Sequence, residues 1–564
     1  MKHGLIFFAA LVAVALVVSP AAWADTKQVD SLSNTTTDAG ADIAVGANGD
    51  IYVSAKVSAQ QLQVQKGTNG GTFTDFLPAT VVDTNSTAAS VSTQRTAIAL
   101  YGPTDSPIVA IDSVIAGPGG GTDTSRGIAI YVNDTGTSTM RRLTTVDLRG
   151  ASLETQTQRI TAFDLLANDS YVILCVNYGS PSSASGSVRQ ADTLALFIWR
   201  VAGNGAALAS LEYTRYVLDT DPGLGADLQI AEGPAGGLKV ATDTAFRFYV
   251  MLNVTEDTEA NAGEGVTIED RDTGISVYRV TLADSSSGGP GLWSAKLRFS
   301  SSRYGVISAG GGDTFVDAAM ALDQEDAGDT IDRVTIIVSP HTQQKGADTL
   351  FILVIDDDSA SIPPANSNAG DSAANGSPFQ WSDTFSQLDT GLANVAQTVA
   401  ARPASLAFNR SGNALTLYYI SNAGNLYKAT ASLDATSRGY DTSFAASISW
   451  SVDTLNQNLG YAHNDPVMDI AANLPNTRSY LELSQTVVNN VLYVVGHDRT
   501  SGRIWYVTSS AAAESKKKES AVCLMDRLLG KTGLRAAFPA LKTFRDTLLG
   551  TDLGRKAVSL YYGF

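Results

Sequence analysis

Cysteine and histidine are scarce in this 564-residue sequence, which has two cysteines and four histidines. Cys175 lies in the apolar run YVILCVNY, so its simplest interpretation is a buried strand residue, with a disulfide to Cys523 as the alternative. Two cysteines are too few for a cysteine metal site or for covalent haem attachment. His341, His463 and His497 follow different strands and lack a second histidine at metal spacing, so a zinc site is not indicated.

Charged residues are also few, at 17% of the chain, and acidic ones outnumber basic ones to give a net charge of −17. The charge is uneven, because residues 511–564 hold ten Lys or Arg against five Asp or Glu, while residues 25–510 carry −23. So acidic a body repels phosphate backbones, and no nucleic-acid partner is expected. Few charges together with 50 glycines favour sheets with long loops over helical bundles.

Long apolar runs are confined to the start of the chain. Lys2 precedes LIFFAALVAVALVV, and Ala22-Trp23-Ala24 provides a small-x-small cleavage pattern. This pattern predicts a secretory signal peptide over residues 1–24, with a retained membrane anchor as the alternative. No later run reaches the ~18 apolar residues that a membrane helix needs, so no transmembrane anchor is expected in the mature, exported chain.

A hairpin pattern recurs along the rest of the sequence. In ADIAVGANGDIYVSA (41–55), Asn48-Gly49 separates two apolar runs, which is a strong hairpin signal. A short apolar strand, a turn and a longer strand return six more times, usually followed by a third strand with alternating aromatics. The seven units start near residues 42, 97, 160, 228, 317, 405 and 468.

Units of three or four antiparallel strands have to bury both faces and protect their edges, which a radial arrangement achieves. The predicted fold class is therefore an all-β propeller with seven blades over residues 25–510. Two or three β-sandwich domains in series are the alternative. A linker over residues 511–520 and a short α-helical tail over 521–564 are expected to follow.

An acidic residue stands at the head of the first strand in four units. If these strands line a central channel, the carboxylates form a ring at one mouth that could hold a cation or a polyhydroxyl ligand. The structural alternative is that they cap the amides of turns. These candidate channel-mouth residues are Asp42, Asp227, Asp317 and Asp469.

Acidic loops provide calcium candidates as well, since carboxylates are the hard oxygen ligands that calcium prefers. None of these loops has the spacing of an EF-hand, and solvated turn acids are the alternative. The candidates are Asp219, Asp221, Asp227, Asp356, Asp357 and Asp358.

The stretch VQKGTNGGTFTDF (64–76) resembles the hairpin motif of sialidase-type Asp-box, or BNR, propellers, which is roughly Ser-x-Asp-x-Gly-x-Thr-Trp. Asn69 stands at the Asp position, Gly71 at the Gly, and Thr72-Phe73 at the Thr-Trp. The resemblance implies the propeller architecture. A sialidase also needs an arginine triad and a tyrosine nucleophile with an acidic partner, and its Phe-Arg-Ile-Pro-like motif is absent from this sequence.

Residues 521–564 are leucine-rich, basic and patterned as helices. They resemble the C-terminal tail called CFI-box-CTERM, which is found on exported bacterial proteins and implies sorting or surface placement. DRLLGKTG replaces the small-residue stretch of that family, and a helical cap on the propeller is the alternative. The matching residues are Cys523, Phe544, Arg545, Asp546, Gly554, Arg555, Tyr561 and Tyr562.

Taken together, these features favour an exported bacterial protein in the periplasm, outside the cell or on its surface. The favoured function is non-catalytic binding of a protein or a glycan, with calcium as the one cofactor considered. A sialidase-like glycan hydrolase is the alternative, and a structural surface component is a third hypothesis.

Overall fold

The computed structural model describes the strands of the chain and the short turns between them. These are residues 27–33, 41–58, 61–81, 96–116, 124–133, 140–148, 159–179, 193–201, 212–219, 222, 224–233, 239–240, 243–256, 274–285, 289–300, 314–324, 332–341, 349–357, 396–398, 403–421, 423–432, 450–456, 459, 483–498 and 503–509. The chain divides into two compact units, Met1–Val507 and Thr508–Phe564. The predicted signal peptide, the linker and the tail motif lie outside the described residues.

The first three blades each contain four antiparallel strands in sequence order. Blade 1 consists of β2 (Ala41–Val45), β3 (Asp50–Ser58), β4 (Gln61–Thr68) and β5 (Thr74–Val81). Blade 2 consists of β6 (Thr96–Tyr101), β7 (Ser106–Ala116), β8 (Thr124–Asn133) and β9 (Met140–Asp147). Blade 3 consists of β10 (Arg159–Ala167), β11 (Tyr171–Gly179), β12 (Thr193–Arg200) and β13 (Thr214–Asp219).

The next three blades repeat this order, and blade 4 has one additional short strand. Blade 4 consists of β14 (Leu224–Glu232), β15 (Lys239–Val240), β16 (Asp243–Glu256), β17 (Gly274–Ser285) and β18 (Gly289–Ser300). Blade 5 consists of β19 (Thr314–Gln324), β20 (Asp332–His341), β21 (Thr349–Asp357) and β22 (Ala396–Thr398). Blade 6 consists of β23 (Pro403–Ser411), β24 (Ala414–Ser421), β25 (Leu426–Ser432) and β26 (Ser451–Asn456).

The last sheet joins the two ends of the unit. It consists of β27 (Ser484–Val488), β28 (Val491–Asp498), β29 (Arg503–Thr508) and, at its outer edge, β1 (Lys27–Ser33). The strand β1 pairs antiparallel with β29, so a segment from the beginning of the chain completes a sheet made at its end. We call this composite sheet the closing sheet.

The sheets form a closed ring, which makes the unit a β-propeller. The first strand of each sheet contacts the first strand of the next, from β2 through β6, β10, β14, β19 and β23 to β27, and β27 contacts β2 again. Apolar cores lie between neighbouring sheets; one contains Ile108 of blade 2 and Val172 of blade 3, and another contains Val53 of blade 1 and Ile504 of the closing sheet. Because the sheets are covered on both faces, a middle strand such as β12 is almost continuously buried, whereas outer strands such as β13 and β26 are partly exposed.

The predicted fold class needs correction in two respects. Seven equivalent consecutive units do not occur: six blades are built from consecutive strands, and the closing sheet is shared between the two ends of the chain. Its inner strand begins at Ser484 instead of near residue 468, a position outside the described residues. The helical part is not found either, since the described segments contain strands and turns but no helix, and residues 521–564 lie beyond them.

Two turns show how the local sequence produces this architecture. Gly49 has φ +85°, the left-handed conformation that glycine adopts without steric cost, and it closes the turn between β2 and β3. The Asn48 side chain accepts a hydrogen bond from the Asp50 amide at 2.9 Å. The BNR-like stretch forms the turn between β4 and β5, where Phe73 packs edge-on against Tyr506 of the closing sheet at 5.5 Å.

Candidate functional site

The inner strands enclose a central cavity of about 610 Å³, which we call the channel. Its walls come from β2, β6, β10, β14, β19 and β27 and from the turns that follow some of these strands. Side chains of both kinds line it, including Leu166, Leu322 and Val487 among the apolar ones. Val487 is 40% exposed and is the large apolar residue that the described part of the chain leaves most open to solvent.

Charge in the channel has one sign. Among the described residues that line it, the charged side chains are all acidic, and none is Lys, Arg, His or Tyr. An opposite charge is favoured beside a carboxylate and a like charge is disfavoured, so the channel repels anions. The four acidic residues are Asp42, Asp105, Asp164 and Glu232.

Two of these carboxylates bind main-chain groups of the next inner strand. Asp42 accepts a hydrogen bond from the Ile98 amide at 2.6 Å, and Asp164 accepts one from the Ile230 amide at 2.9 Å. Asp317, which lies outside the channel lining and is 4% exposed, accepts from the Leu406 amide of the next blade at 2.7 Å. These carboxylates therefore connect neighbouring blades, and we call such a hydrogen bond between a side chain and the main chain of the next blade a clasp.

Asp42 stands where the ring closes. It also accepts hydrogen bonds from the Ile43 amide at 2.7 Å and from the Ser484 hydroxyl of the closing sheet. Burial raises the pKa of Asp42 to about 6, against the lowering effect of the hydrogen bonds from Ser484, Ile98 and Ile43. The carboxyl group thus joins β2, β6 and β27 in a site largely removed from water.

Glutamine side chains take the same clasping role in other blades. Gln229 of β14 accepts a hydrogen bond from the Met320 amide of β19 at 2.9 Å. Gln485 of β27 accepts from the Phe408 amide of β23 at 2.6 Å. Its side-chain amide also donates to the carbonyls of Phe408 and Met320, both at 3.1 Å.

One mouth of the channel lies at the turns that follow the inner strands, and we call it the turn mouth. Asp105, Glu232, Asn489 and Asn490 line the cavity there. Asp105 accepts a hydrogen bond from the Ala47 amide at 2.8 Å, which ties blade 2 to blade 1. Glu232 is exposed, yet partial desolvation raises its pKa, and nearby Asp169 and Asp332 raise it further against a hydrogen bond with Asn168.

Of the four acidic residues predicted to form a ring at the channel mouth, the described structure places one, Asp42, in the channel lining. Asp42 lines the channel and Asp317 is buried between blades, as described above. Asp227 lies on β14 opposite Asn253 of β16, with its side chain outside the description, and Asp469 is not among the described residues. The residues brought to the channel that the sequence reasoning missed are Asp105, Asp164, Gln229, Glu232 and Gln485.

The calcium candidates are distributed over different elements. Asp219, at the end of β13, is 6% exposed and accepts a hydrogen bond from the Tyr278 hydroxyl at 2.7 Å. Asp356 and Asp357 lie on β21 opposite Arg333 and Asp332, and Asp221 and Asp358 fall outside the described residues. Within the described ranges, no group of three His, Cys, Asp or Glu side chains could hold a metal ion.

No protein-family model and no curated protein sequence matches this chain. The described part of the chain includes no helix that is long and apolar enough to cross a membrane.

Solved structures with a similar arrangement include both enzymes and binding proteins. An α-L-arabinofuranosidase of Fusarium graminearum is 10% identical over 76% of this chain and 98% of its own, with a TM-score of 0.35. The six-bladed fucose-binding lectin of Aleuria aurantia is 9% identical over 77% and 100%, with a TM-score of 0.32. The Nup133 propeller domain of Vanderwaltozyma polyspora is 10% identical over 86% and 97%, with a TM-score of 0.38. All three scores are below 0.5, so no ligand or activity is transferred from these proteins.

Proposed function

We propose that this chain is an exported bacterial β-propeller that binds a small neutral or cationic ligand in its channel without transforming it. The observation that carries this proposal is the charge of the lining: four carboxylates and, among the described lining residues, no basic side chain. A sugar hydroxyl or an ammonium group can donate hydrogen bonds to such a surface, whereas a ligand carboxylate or phosphate would be repelled.

The arrangement supports binding better than hydrolysis. A sialidase-like enzyme would need arginines to hold the substrate carboxylate and a tyrosine as nucleophile, and the described channel lining offers neither type. Asp42, Asp164 and Asp105 each bind a main-chain amide of a neighbouring blade, which leaves Glu232 at the turn mouth as the most accessible acid of the lining. Sorting by a CFI-box-like tail and placement at the cell surface or in the periplasm are parts of the same proposal that rest on sequence resemblance alone.

The test uses three sugars that differ mainly in charge: glucose, glucosamine and glucuronic acid. Binding to residues 25–564 is measured by calorimetry at pH 7 and low salt, because charge effects are screened as ionic strength rises. We expect glucosamine to bind at least as tightly as glucose, and glucuronic acid to bind at least tenfold more weakly than either.

A substitution in the channel lining tests whether the sugar binds there. Val487→Arg adds a cation at an exposed lining position, so it should weaken glucosamine binding at least tenfold while leaving the fold intact. The matched control is Lys66→Arg, a surface substitution that keeps the charge facing Asp50. Preferential binding of glucuronic acid, or binding of all three sugars that ignores Val487→Arg, would refute the proposed channel site. Release of nitrophenol from a nitrophenyl sialoside would favour the hydrolase instead.

A further inference from the structure

One inner strand is missing from the channel wall. Residues of six inner strands line the cavity, but none of the described residues of β23 does so. The side chain of Gln485 explains this gap, because it reaches from β27 to main-chain groups of both β23 and β19. Gln485 therefore lies over β23 and separates it from the lumen.

The three hydrogen bonds of Gln485 use both the oxygen and the nitrogen of its carboxamide group. Its oxygen accepts from the Phe408 amide at 2.6 Å, and its nitrogen donates to the Phe408 and Met320 carbonyls at 3.1 Å. One acceptor and two donors are the groups that a primary amide offers. A carboxylate could accept from the Phe408 amide but would face two carbonyl oxygens without a donor.

A second glutamine on the wall provides the comparison. Gln229 also clasps a neighbouring strand, but its contact is a single hydrogen bond, in which its oxygen accepts from the Met320 amide. Both glutamines are partly exposed on the channel wall. The main-chain groups of Phe408 and Met320 therefore form a notch behind the Gln485 side chain, with a complete set of amide-binding groups that this side chain already occupies.

We propose that Gln485 is a specificity-determining residue of the channel, which fills an amide-binding notch formed by Phe408 and Met320. This inference rests on the proposed function, in which the channel is the ligand site. While Gln485 occupies the notch, the channel excludes ligand carboxamides from β23. Its removal opens the notch to a small primary amide.

The test is chemical rescue of Gln485→Ala by propionamide. We expect propionamide to bind this variant with a dissociation constant of roughly 1–50 mM, the range for a fragment of five heavy atoms. It should also raise the melting temperature of the variant. Propionic acid, which has the same shape but is charged at pH 7, should do neither. In the unmodified protein, propionamide binding should be at least tenfold weaker.

Two further variants separate this role from a purely structural one. Gln229→Ala removes the single-bond clasp and should gain no propionamide binding. Gln485→Met retains the side-chain volume without hydrogen-bonding groups, so it should keep the notch blocked. Should Gln485→Ala fail to fold, Gln485→Ser opens the same notch with a polar residue and takes its place in the rescue experiment.

The outcomes distinguish this inference from the proposed function. Equal binding of propionamide to the unmodified protein and to Gln485→Ala, or no binding to either, would overturn the role of Gln485. In that case, glucosamine binding that responds to Val487→Arg would leave the channel as the ligand site. Rescue by propionamide without any sugar binding would support the notch and remove the proposed ligand class.

Discussion

Asp42 offers the sharpest test of how the ring is held closed. Its carboxyl group joins β2, β6 and the closing sheet through hydrogen bonds from Ile43, Ile98 and Ser484. Burial raises its pKa from the ordinary 3.8 to about 6, so the folded protein binds this proton more tightly than the unfolded chain does. We expect Asp42→Asn to change the pH dependence of stability.

The linkage between proton binding and folding gives the direction in which the free energy of unfolding changes with pH. The contribution of a group with a raised pKa is fully present below the unfolded pKa, near 4, and is lost as the pH rises through about 6. A difference of about 2 in pKa corresponds to about 3 kcal/mol, since each pKa unit is worth about 1.4 kcal/mol. The free energy of unfolding of the unmodified protein should therefore fall by up to ~3 kcal/mol from this group between pH 4 and pH 7.

The assay is urea unfolding of the unmodified protein and of Asp42→Asn at pH 4.5, 5.5, 6.5 and 7.5. The stability difference between the two proteins should shift in favour of the variant by about 2 kcal/mol over this range, because all other titrating groups cancel in the comparison. Asp50→Asn, which removes a half-buried carboxylate that pairs with Lys66, is the control for the loss of one acidic side chain away from the ring closure. A stability difference that is constant with pH would refute the reasoning.

Three further predictions concern single positions. Gly233→Ala should destabilise the protein by roughly 1–3 kcal/mol in urea unfolding, because a Cβ there would lie 2.4 Å from a carboxylate oxygen of buried Asp332; unchanged stability would contradict this. Cys175 is fully buried and its thiol pKa is raised well above the ordinary value, so in a Cys523→Ser variant Ellman's reagent should label Cys175 at least ~100-fold more slowly in the folded protein than in urea; fast labelling of this variant would show that blade 3 opens. Asn490 has φ +62°, a conformation that glycine adopts without steric cost. Asn490→Gly should therefore increase the free energy of unfolding by about 0.5 kcal/mol and raise the melting temperature, whereas Asn490→Val should lower both.

The sequence predicts the strands of this fold well because their signals are local. The hairpin at residues 41–55 forms β2 and β3 around Gly49, and the run that contains Cys175 forms β11, with the thiol free and buried. Alternation of apolar and polar residues, together with Asn-Gly turns, acts over a few residues and can be recognised without knowledge of distant partners.

The closing sheet could not be predicted in this way. Its hairpin is centred on Asn489-Asn490, both in the left-handed conformation, but the same region of the sequence contains other turn signals. The predicted seventh unit therefore starts near residue 468, well before β27 begins at Ser484. The pairing of β1 with β29 joins Lys27 to Tyr506, and no local pattern reveals so distant a partner.

The channel residues were predicted only in part, for a similar reason. Acidic residues at the heads of strands can be recognised in the sequence, and Asp42 is one of them. The partner of such a residue lies on a neighbouring blade some 56 to 89 positions away, as for Asp42 with Ile98 and Asp317 with Leu406. The role of Gln485 could not be predicted from the sequence, because a single glutamine in a strand is common. Its role depends on its hydrogen bonds to β23 and β19, which only the fold brings within reach.

The closing sheet has a consequence for how the protein is made. Its outer strand β1 is the first of the described strands in the sequence, while its partner β29 is the last of them. The closing sheet therefore stays incomplete until β29 has been synthesised, and contacts between segments so far apart in the sequence form slowly. Until that moment the chain exposes the apolar faces of blades 1 and 6 that pack on the closing sheet, and β1 and β29 lack each other as partner strands, which invites association with other chains. A product that lacks either β1 or β29 leaves the closing sheet incomplete at its outer edge.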